Sequence, residues 1–277
     1  QTTQASLPDL GPRGSAGLMA FPNLKRMLAS RQLKLGHSVF EFNSPGLGQI
    51  IAAADVDFIF MDMEHSSFGI ADLERAITGF CAGRLPVMVR PPSNAYHHIA
   101  RVLGFSAEGI VMPMVGSAEE AAHIVQCMKY PPMGQRGVAL NIAHDRYVPG
   151  HTKKGLADAN WRTGFAALIK TEAGIRNIDA IADTKGLDCV WISHFDLSCS
   201  VGIPGEFDHP DFKKTSALVK RAARKHNKAL GRLAGTPGET IALHKQGYAL
   251  LCYSGDLWVY QKALIAEIDE IRANCKA

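Results

Sequence analysis

Several short apolar runs of the chain end in side chains that could hold an anion or move a proton. The runs finish with Asp62-Met63-Glu64-His65, Arg90, Lys170-Thr171-Glu172, Ser193-His194-Phe195-Asp196 and Ser254-Gly255-Asp256. An arginine in such a position can grip a carboxylate or a developing enolate through two N–H groups. A histidine beside a carboxylate is suited to general acid–base catalysis. Any one of these residues could belong to a structural ion pair, but their occurrence on successive runs indicates a catalytic site.

The apolar runs alternate with segments of helical spacing and must position these side chains. We predict strands at Leu35–Phe42, Val56–Met63, Pro86–Arg90, Gly109–Met114, Phe165–Thr171, Leu187–Ser193, Ala229–Leu233 and Ala249–Tyr253. Continuous apolar runs of this kind are typical of parallel strands that are buried on both faces. Since the chain lacks a glycine-rich dinucleotide motif, the alternation favours an α/β fold of the closed (β/α)8 TIM-barrel type over an open sheet. In such barrels the reactive groups lie at the C-terminal strand ends.

Helical signals support this arrangement. Helices are predicted at residues 22–31, 70–80, 258–273, from Ser117 to about Met128, and from Thr236-Pro237 to near Gly247. Ser117 and Thr236 supply N-cap hydroxyls, and Pro237 is tolerated in the first turn. We predict a flexible N-terminal arm at residues 1–20, one barrel domain at residues 21–277, and an elaborated loop over one barrel mouth at residues 131–162.

Composition excludes several classes of partner. The 277 residues include 30 Lys and Arg against 26 Asp and Glu, a net charge of +4, and the basic residues are scattered. No nucleic-acid partner is therefore expected. No apolar run approaches the about 18 residues of a membrane span, so no membrane partner is expected either. The six cysteines form no C-x-x-C pair, which predicts buried thiols and a cytoplasmic location.

Motifs between about residues 33 and 270 resemble the HpcH/HpaI aldolase family, in the same order. The carriers are VDFIFMDMEH, VMVRPP, GIVMPMVGSAEEA, YPPMGQRGVA, IRNIDAIADTKGLDCVWIS and FDLSCSVGIPGEFDHPDF. Gly247-Tyr248 and Asp256-Leu257-Trp258 are similar to fungal members such as macrophomate synthase. The resemblance implies a barrel of the phosphoenolpyruvate/pyruvate superfamily that forms and cleaves carbon–carbon bonds through a pyruvate enolate held on a divalent metal, Mg²⁺ or Mn²⁺. It also implies a homo-oligomer, a hexamer or trimer of dimers, often with the last helix exchanged between neighbours.

The same resemblance implies roles for individual residues. His65 matches the acid/base histidine, Asp62 the carboxylate that supports it, and Arg90 the arginine that holds the substrate's keto oxygen. Asp196 matches one of two metal-binding carboxylates. The positions expected to contact the small-molecule substrate are Arg90, Leu168, Ser193, His194 and Phe195.

The second metal carboxylate is where the sequence departs from the family. Family members have a Gln-Ile-Glu-Thr type sequence at the end of the fifth strand, and this chain has Leu168-Ile169-Lys170-Thr171. In the favoured gap-free register Lys170 replaces the metal-binding Glu and Leu168 the Gln. A shift of two residues would make Glu172 the ligand instead. Lys170 and Glu172 are two residues apart and lie on the same face of a strand, so strand parity does not decide between the two registers.

A lysine at this position leaves several functions open. We favour a carbon–carbon lyase of the aldolase type acting through the enolate of a 2-oxo acid, with Lys170 either replacing the metal's charge or forming a Schiff base. One alternative is a specialised-metabolism synthase of the macrophomate-synthase type with a bulkier, less polar substrate. Others are ordinary metal catalysis through Glu172 and Asp196, and an inactive barrel kept for binding or assembly.

Overall fold

The computed structural model describes residues 23–30 and 32–275. Eight parallel strands close into a barrel in chain order, and the last strand pairs with the first. The strands are β1 Lys34–Val39, β2 Phe58–Asp62, β3 Val87–Arg90, β4 Gly109–Met112, β5 Gly164–Ile169, β6 Cys189–Ile192, β7 Ala229–Ala234 and β8 Leu250–Gly255. The predicted (β/α)8 TIM barrel is confirmed. The arm predicted at residues 1–20 lies outside the described residues.

Helices surround the barrel, and one short helix closes its amino-terminal end. They are α1 Leu24–Ala29, α2 Leu47–Ala52, α3 Ile70–Ala82, α4 Tyr96–Gly104, α5 Ala118–Met128, α6 Thr152–Arg162, α7 Glu172–Arg176, α8 Ile178–Asp183, α9 His194–Ser200, α10 Pro210–Lys225, α11 Pro237–Lys245 and α12 Asp256–Asn274. The Ser117 and Thr236 hydroxyls accept N–H groups in the first turns of α5 and α11, as predicted.

Strand residues alternate between two apolar cores. In β2, Phe58 and Phe60 point into the barrel interior, and Ile59 and Met61 point outward under the helices. Such alternation follows from the two-residue period of a strand. The interior cluster also takes in Leu24 of α1. The barrel is therefore a packed core whose upper layer forms the base of any site at the carboxyl end.

Residues 131–162 begin and end at the amino-terminal end of the barrel, and their middle contacts α4, where the Gly137 N–H donates to the Tyr96 hydroxyl. The loop predicted there does not cover the catalytic mouth. The Lys129 ammonium, just after α5, donates to the carbonyl oxygens of Asn160 and Thr163 at 2.7 Å. Helix α6 contacts α1, which in turn contacts β5. The reason is topological, because α5 ends and β5 begins at that same end.

Helix α12 extends away from its own barrel. Residues 258–275 are all exposed, and Asp256 is the buried residue of the helix. Its large apolar side chains therefore face solvent in the isolated chain: Val259, Leu264, Ile265, Ile268 and Ile271. Among the described residues, no helix is both long and apolar enough to cross a membrane.

Candidate active site

Strand parity places polar side chains above the interior core at the carboxyl end. On four strands, the residue two positions after an interior apolar residue is polar. Asp62 follows Phe60, Arg90 follows Met88, Lys170 follows Leu168 and Ser193 follows Trp191. All four polar groups leave their strands toward the barrel axis. The polar residues predicted at the ends of separate strands therefore lie close together in the structure.

Asp62 and Arg90 form a buried, two-pronged ion pair. Arg90 Nε donates to Asp62 Oδ1 at 2.7 Å and Nη2 donates to Oδ2 at 2.5 Å. The Asp62 side chain is 0% exposed and that of Arg90 is 8% exposed. Asp62 also accepts the backbone N–H groups of Glu64 and His65. This fork fixes the guanidinium plane at the base of the site.

Glu64 is the central carboxylate of the site, and sequence reasoning did not assign it a role. Its Oε2 lies 3.0 Å from Arg90 Nη1, and its two oxygens accept from Lys170 Nζ at 2.9 and 3.1 Å. The signal that could have found it was parity, because Glu64 follows Asp62 by two residues. Glu64 therefore joins the two cations of the site.

Lys170 lies between two carboxylates. Its side chain is only 3% exposed, and Nζ lies 3.4 Å from Asp196 Oδ2 as well as beside Glu64. The Ser193 hydroxyl donates to the same Asp196 oxygen. The ammonium of Lys170 thus stands where two strand-end carboxylates converge.

The residues around Lys170 do not fit a divalent metal ion. An ammonium offers only donors, whereas Mg²⁺ and Mn²⁺ require oxygen acceptors. Among residues 23–30 and 32–275, no three His, Cys, Asp or Glu side chains are grouped to hold a metal. The alternative ligand Glu172 is the first residue of α7, pairs with Arg176 at 3.3 Å and keeps 55% of its side chain exposed. The chain turns into α7 after Thr171, which takes Glu172 out of the site.

His65 lies at the edge of the cluster. Its ring Nε2 is 3.6 Å from Glu64 Oε2, and 56% of its side chain is exposed. Asp62, expected to support the ring, contacts the His65 backbone N–H instead, because its carboxylate is occupied by Arg90. The carboxylate beside the ring is therefore Glu64.

A cavity of about 450 Å³ opens beside this cluster. Its lining includes His65, Arg90 and Asp196, together with the expected substrate contacts Leu168, Ser193, His194 and Phe195. Burial, and to a lesser extent the Arg232 guanidinium, lowers the pKa of His194 to about 3, while Asp196 opposes the shift. The His194 ring is therefore neutral near pH 7.

Asp256 ties the ends of β8 and β1 together at the cavity rim. Its carboxylate accepts the backbone N–H groups of Phe40, Glu41, Phe42 and Leu257 at 2.7 to 3.0 Å. It is 5% exposed. Since charge-assisted hydrogen bonds are strong when buried, this clamp positions the rim.

Replacing Asp256 by asparagine is expected to lower the free energy of unfolding by about 3 kcal/mol, because an amide NH₂ would face backbone N–H donors. Urea unfolding at pH 7 measures the change. Asp158→Asn, at an exposed carboxylate paired with Lys154, is the matched control and should change the value by less than about 0.5 kcal/mol. Equal effects of the two substitutions would contradict the clamp.

Comparison with known proteins shows the family of this chain. A family model described as HpcH/HpaI aldolase/citrate lyase matches residues 40–253. A 5-keto-4-deoxy-D-glucarate aldolase of Shigella boydii is 28% identical over 89% of this chain and 95% of its own. A 2-keto-3-deoxy-L-rhamnonate aldolase of Klebsiella pneumoniae is 29% identical over 79% of this chain and 81% of its own.

A solved structure shares the fold. An HpcH/HpaI aldolase from Desulfitobacterium hafniense superposes with a TM-score of 0.86 at 27% identity, covering 90% of this chain and 96% of that one. The family match spans most of the barrel, from the end of β1 into β8. The chain belongs to the HpcH/HpaI aldolase/citrate lyase family and is a carbon–carbon lyase of the aldolase type.

Proposed function

We propose that this lyase cleaves and forms the bond next to the carbonyl of a 2-oxo acid, and that Lys170 supplies the positive charge expected of a metal ion. The observation that carries the proposal is the buried Lys170 ammonium, within 3.4 Å of both Glu64 and Asp196. Arg90 lies beside it, against the cavity. Arg90 at the cavity wall, with the buried charge of Lys170 joined to it through Glu64, suits the carboxylate and the enolate oxygen of such a substrate.

Arg90 keeps donors for the substrate after its protein contacts are counted. A guanidinium has five N–H groups. Asp62 accepts two of them and Glu64 a third, which leaves two. Aimed at the keto oxygen, these stabilise the negative charge that develops as the bond breaks.

The cleavage step balances with this chain's own groups. A base removes the proton from the 4-hydroxyl of a 4-hydroxy-2-oxo acid, the C3–C4 bond breaks, and its electron pair forms the enolate while an aldehyde leaves. Returning a proton to C3 then gives the 2-oxo acid. His65 lines the cavity with an accessible ring and is the group we assign to these proton transfers.

Lys170 acts in this proposal as a charge and not as a nucleophile. A Schiff base requires the free lone pair of the amine, and the Lys170 nitrogen is engaged as a donor to both oxygens of Glu64. The open cavity beside Arg90 argues against an inactive barrel, since a closed Lys170–Asp196 pair without a cavity would favour one. Borohydride treatment with pyruvate should therefore leave Lys170 unmodified.

Exchange of the pyruvate methyl hydrogens with D₂O tests the proposal, because exchange requires the enolate alone. Proton NMR should show the methyl signal decaying at least about 100-fold faster with enzyme than in buffer. No exchange with pyruvate or any longer 2-oxo acid, with or without added metal, would contradict it.

We also infer a homo-oligomer in which α12 of one copy covers the barrel of another. An apolar groove of about 440 Å³ lies between α2 and α11 beside β1 and β8, lined by residues such as Leu35, Val56 and Ile241. In a barrel whose last helix packs on its own strands, that helix would fill this groove. Helix α12 does not fill it, so the groove is open. The exposed apolar side chains of α12 match the apolar lining of the groove, so α12 of another copy suits the groove.

The substitution Ile268→Glu is expected to shift the assembly toward monomer, because it places a charge on the face that the groove would bury. Light scattering coupled to size exclusion measures the mass. Glu267→Gln, on the neighbouring position of the same helix, is the control and should leave the mass unchanged. An unchanged mass for Ile268→Glu, or a monomeric unsubstituted chain, would count against α12 as the contact.

A further inference from the structure

The cavity beside Arg90 is lined mainly by apolar and aromatic side chains. Its base is the upper layer of the barrel core, formed by Phe60, Leu168 and Trp191. Phe60 and Trp191 pack with ring centroids 5.6 Å apart. A Cβ at Gly231 would overlap the Trp191 ring, so the glycine of β7 makes room for this large side chain. The base presents ring and methyl groups to a ligand.

Most polar groups of the lining are already engaged within the protein. The Ser193 hydroxyl donates to Asp196, and Asp196 lies against Lys170. The neutral ring of His194 packs against Phe195 and Phe207, at 4.6 and 4.9 Å between centroids. Arg90, His65 and Glu41 remain. The proposed function uses Arg90 and His65 at the reacting atoms, and Glu41 lies at the rim.

The rim continues the apolar character. Phe40 and Trp258 pack at 4.9 Å between centroids, and Phe195, which also lines the cavity, has 61% of its surface exposed. Trp258 is 43% exposed. Glu41 is the polar residue of this rim and is exposed. A ligand that covers Trp258 and Phe195 removes aromatic surface from water, which favours binding.

Building on the proposed function, we propose that the aldehyde that leaves or joins the enolate carries an aromatic or similarly apolar group instead of a chain of hydroxyls. Each hydroxyl of a polyol chain would lose hydrogen bonds to water on entering this cavity, and the base formed by Phe60, Leu168 and Trp191 offers none in return. The relatives named for sugar acids act on hydroxylated chains. This chain therefore differs from them in substrate class.

Two acceptor aldehydes test the inference. Pyruvate and benzaldehyde add to give 4-hydroxy-2-oxo-4-phenylbutanoate, and pyruvate and glyceraldehyde add to give the corresponding polyol acid, with all atoms retained in both products. We expect kcat/KM for benzaldehyde to exceed that for glyceraldehyde by at least about 10-fold. Equal rates, a preference for glyceraldehyde, or acceptance of neither would overturn the inference.

The outcome is separable from that of the proposed function. Pyruvate methyl exchange in D₂O needs no aldehyde, so it reports the enolate step alone. Absence of exchange overturns the proposed function and this inference with it. Exchange combined with a preference for glyceraldehyde overturns the inference and leaves the proposed function standing.

A matched pair of tryptophan variants locates the preference. Trp258→Ala is expected to lower the ratio of kcat/KM for benzaldehyde over glyceraldehyde by about 3- to 10-fold, the range for loss of one aromatic contact. Trp161→Ala removes a comparably exposed tryptophan of α6 at the other end of the barrel and should leave the ratio unchanged. The same fall in both variants, or no fall in Trp258→Ala, would contradict the assignment of the rim.

Discussion

Replacing Arg90 by lysine is expected to slow pyruvate exchange by about 10²- to 10³-fold, the usual cost of losing an oxyanion donor. The substitution keeps the positive charge but loses the fork that grips both oxygens of Asp62. A lysine ammonium can serve Asp62 or Glu64 but leaves no fixed N–H at the keto oxygen. The loss should appear mainly in kcat, since the enolate is where the charge develops.

The control for Arg90→Lys is Arg101→Lys on the exposed surface of α4. It should leave exchange within about 2-fold of the unsubstituted enzyme. Thermal unfolding of both variants shows whether the barrel is intact. A folded Arg90→Lys variant with an exchange rate within about 3-fold of the original would contradict the role of Arg90 as the oxyanion donor.

The second large effect is expected from Lys170→Glu, which should turn the lysine site into a cation-binding site. The new carboxylate would join Glu64 and Asp196, both now held by the ammonium. Three carboxylates at one point repel each other until a divalent cation binds. Without metal, exchange should fall by at least about 100-fold and the free energy of unfolding by about 3–5 kcal/mol, as for other broken buried ion pairs.

Two readouts of Lys170→Glu do not depend on activity. Electron paramagnetic resonance should detect Mn²⁺ bound at one site per chain, and added Mn²⁺ should raise the melting temperature of the variant. Lys170→Met is the matched control and should lose exchange without gaining tight Mn²⁺ binding. Lys170→Glu retaining full metal-free exchange, or equal Mn²⁺ binding by the unsubstituted chain, would contradict the placement of charge proposed here.

The barrel was predictable because its strands are buried on both faces. Apolar runs such as the one at β2 mark such strands without knowledge of their neighbours. The location of residues 131–162 follows from the predicted order of elements, since a segment between a helix and the next strand lies at the amino-terminal end of such a barrel, but the contacts that fix this segment do not follow from local sequence. The bond of Lys129 to Asn160 and Thr163 is a tertiary contact between residues about 30 positions apart.

The sequence predicted most residues of the candidate site, but it did not predict which of them form ion pairs with each other. Strand ends and family motifs pointed to Asp62, Arg90 and Lys170, but the parity of β2 had to be continued two residues past its end to see that Glu64 faces them too. Asp62 was expected to support His65, and the Arg90 fork occupies its carboxylate instead. Which carboxylate meets which cation depends on distances across the barrel, and local sequence does not encode them.

The most direct test of the central claim is pyruvate exchange before and after exhaustive chelation, with metal content determined on the same sample. If the Lys170 ammonium supplies the charge beside Arg90, the chelated enzyme should exchange pyruvate hydrogens within about 2-fold of the original rate. Addition of Mg²⁺ or Mn²⁺ should then change that rate little. Exchange that is lost on chelation and restored by Mg²⁺ or Mn²⁺ would contradict the claim that Lys170 replaces a metal ion.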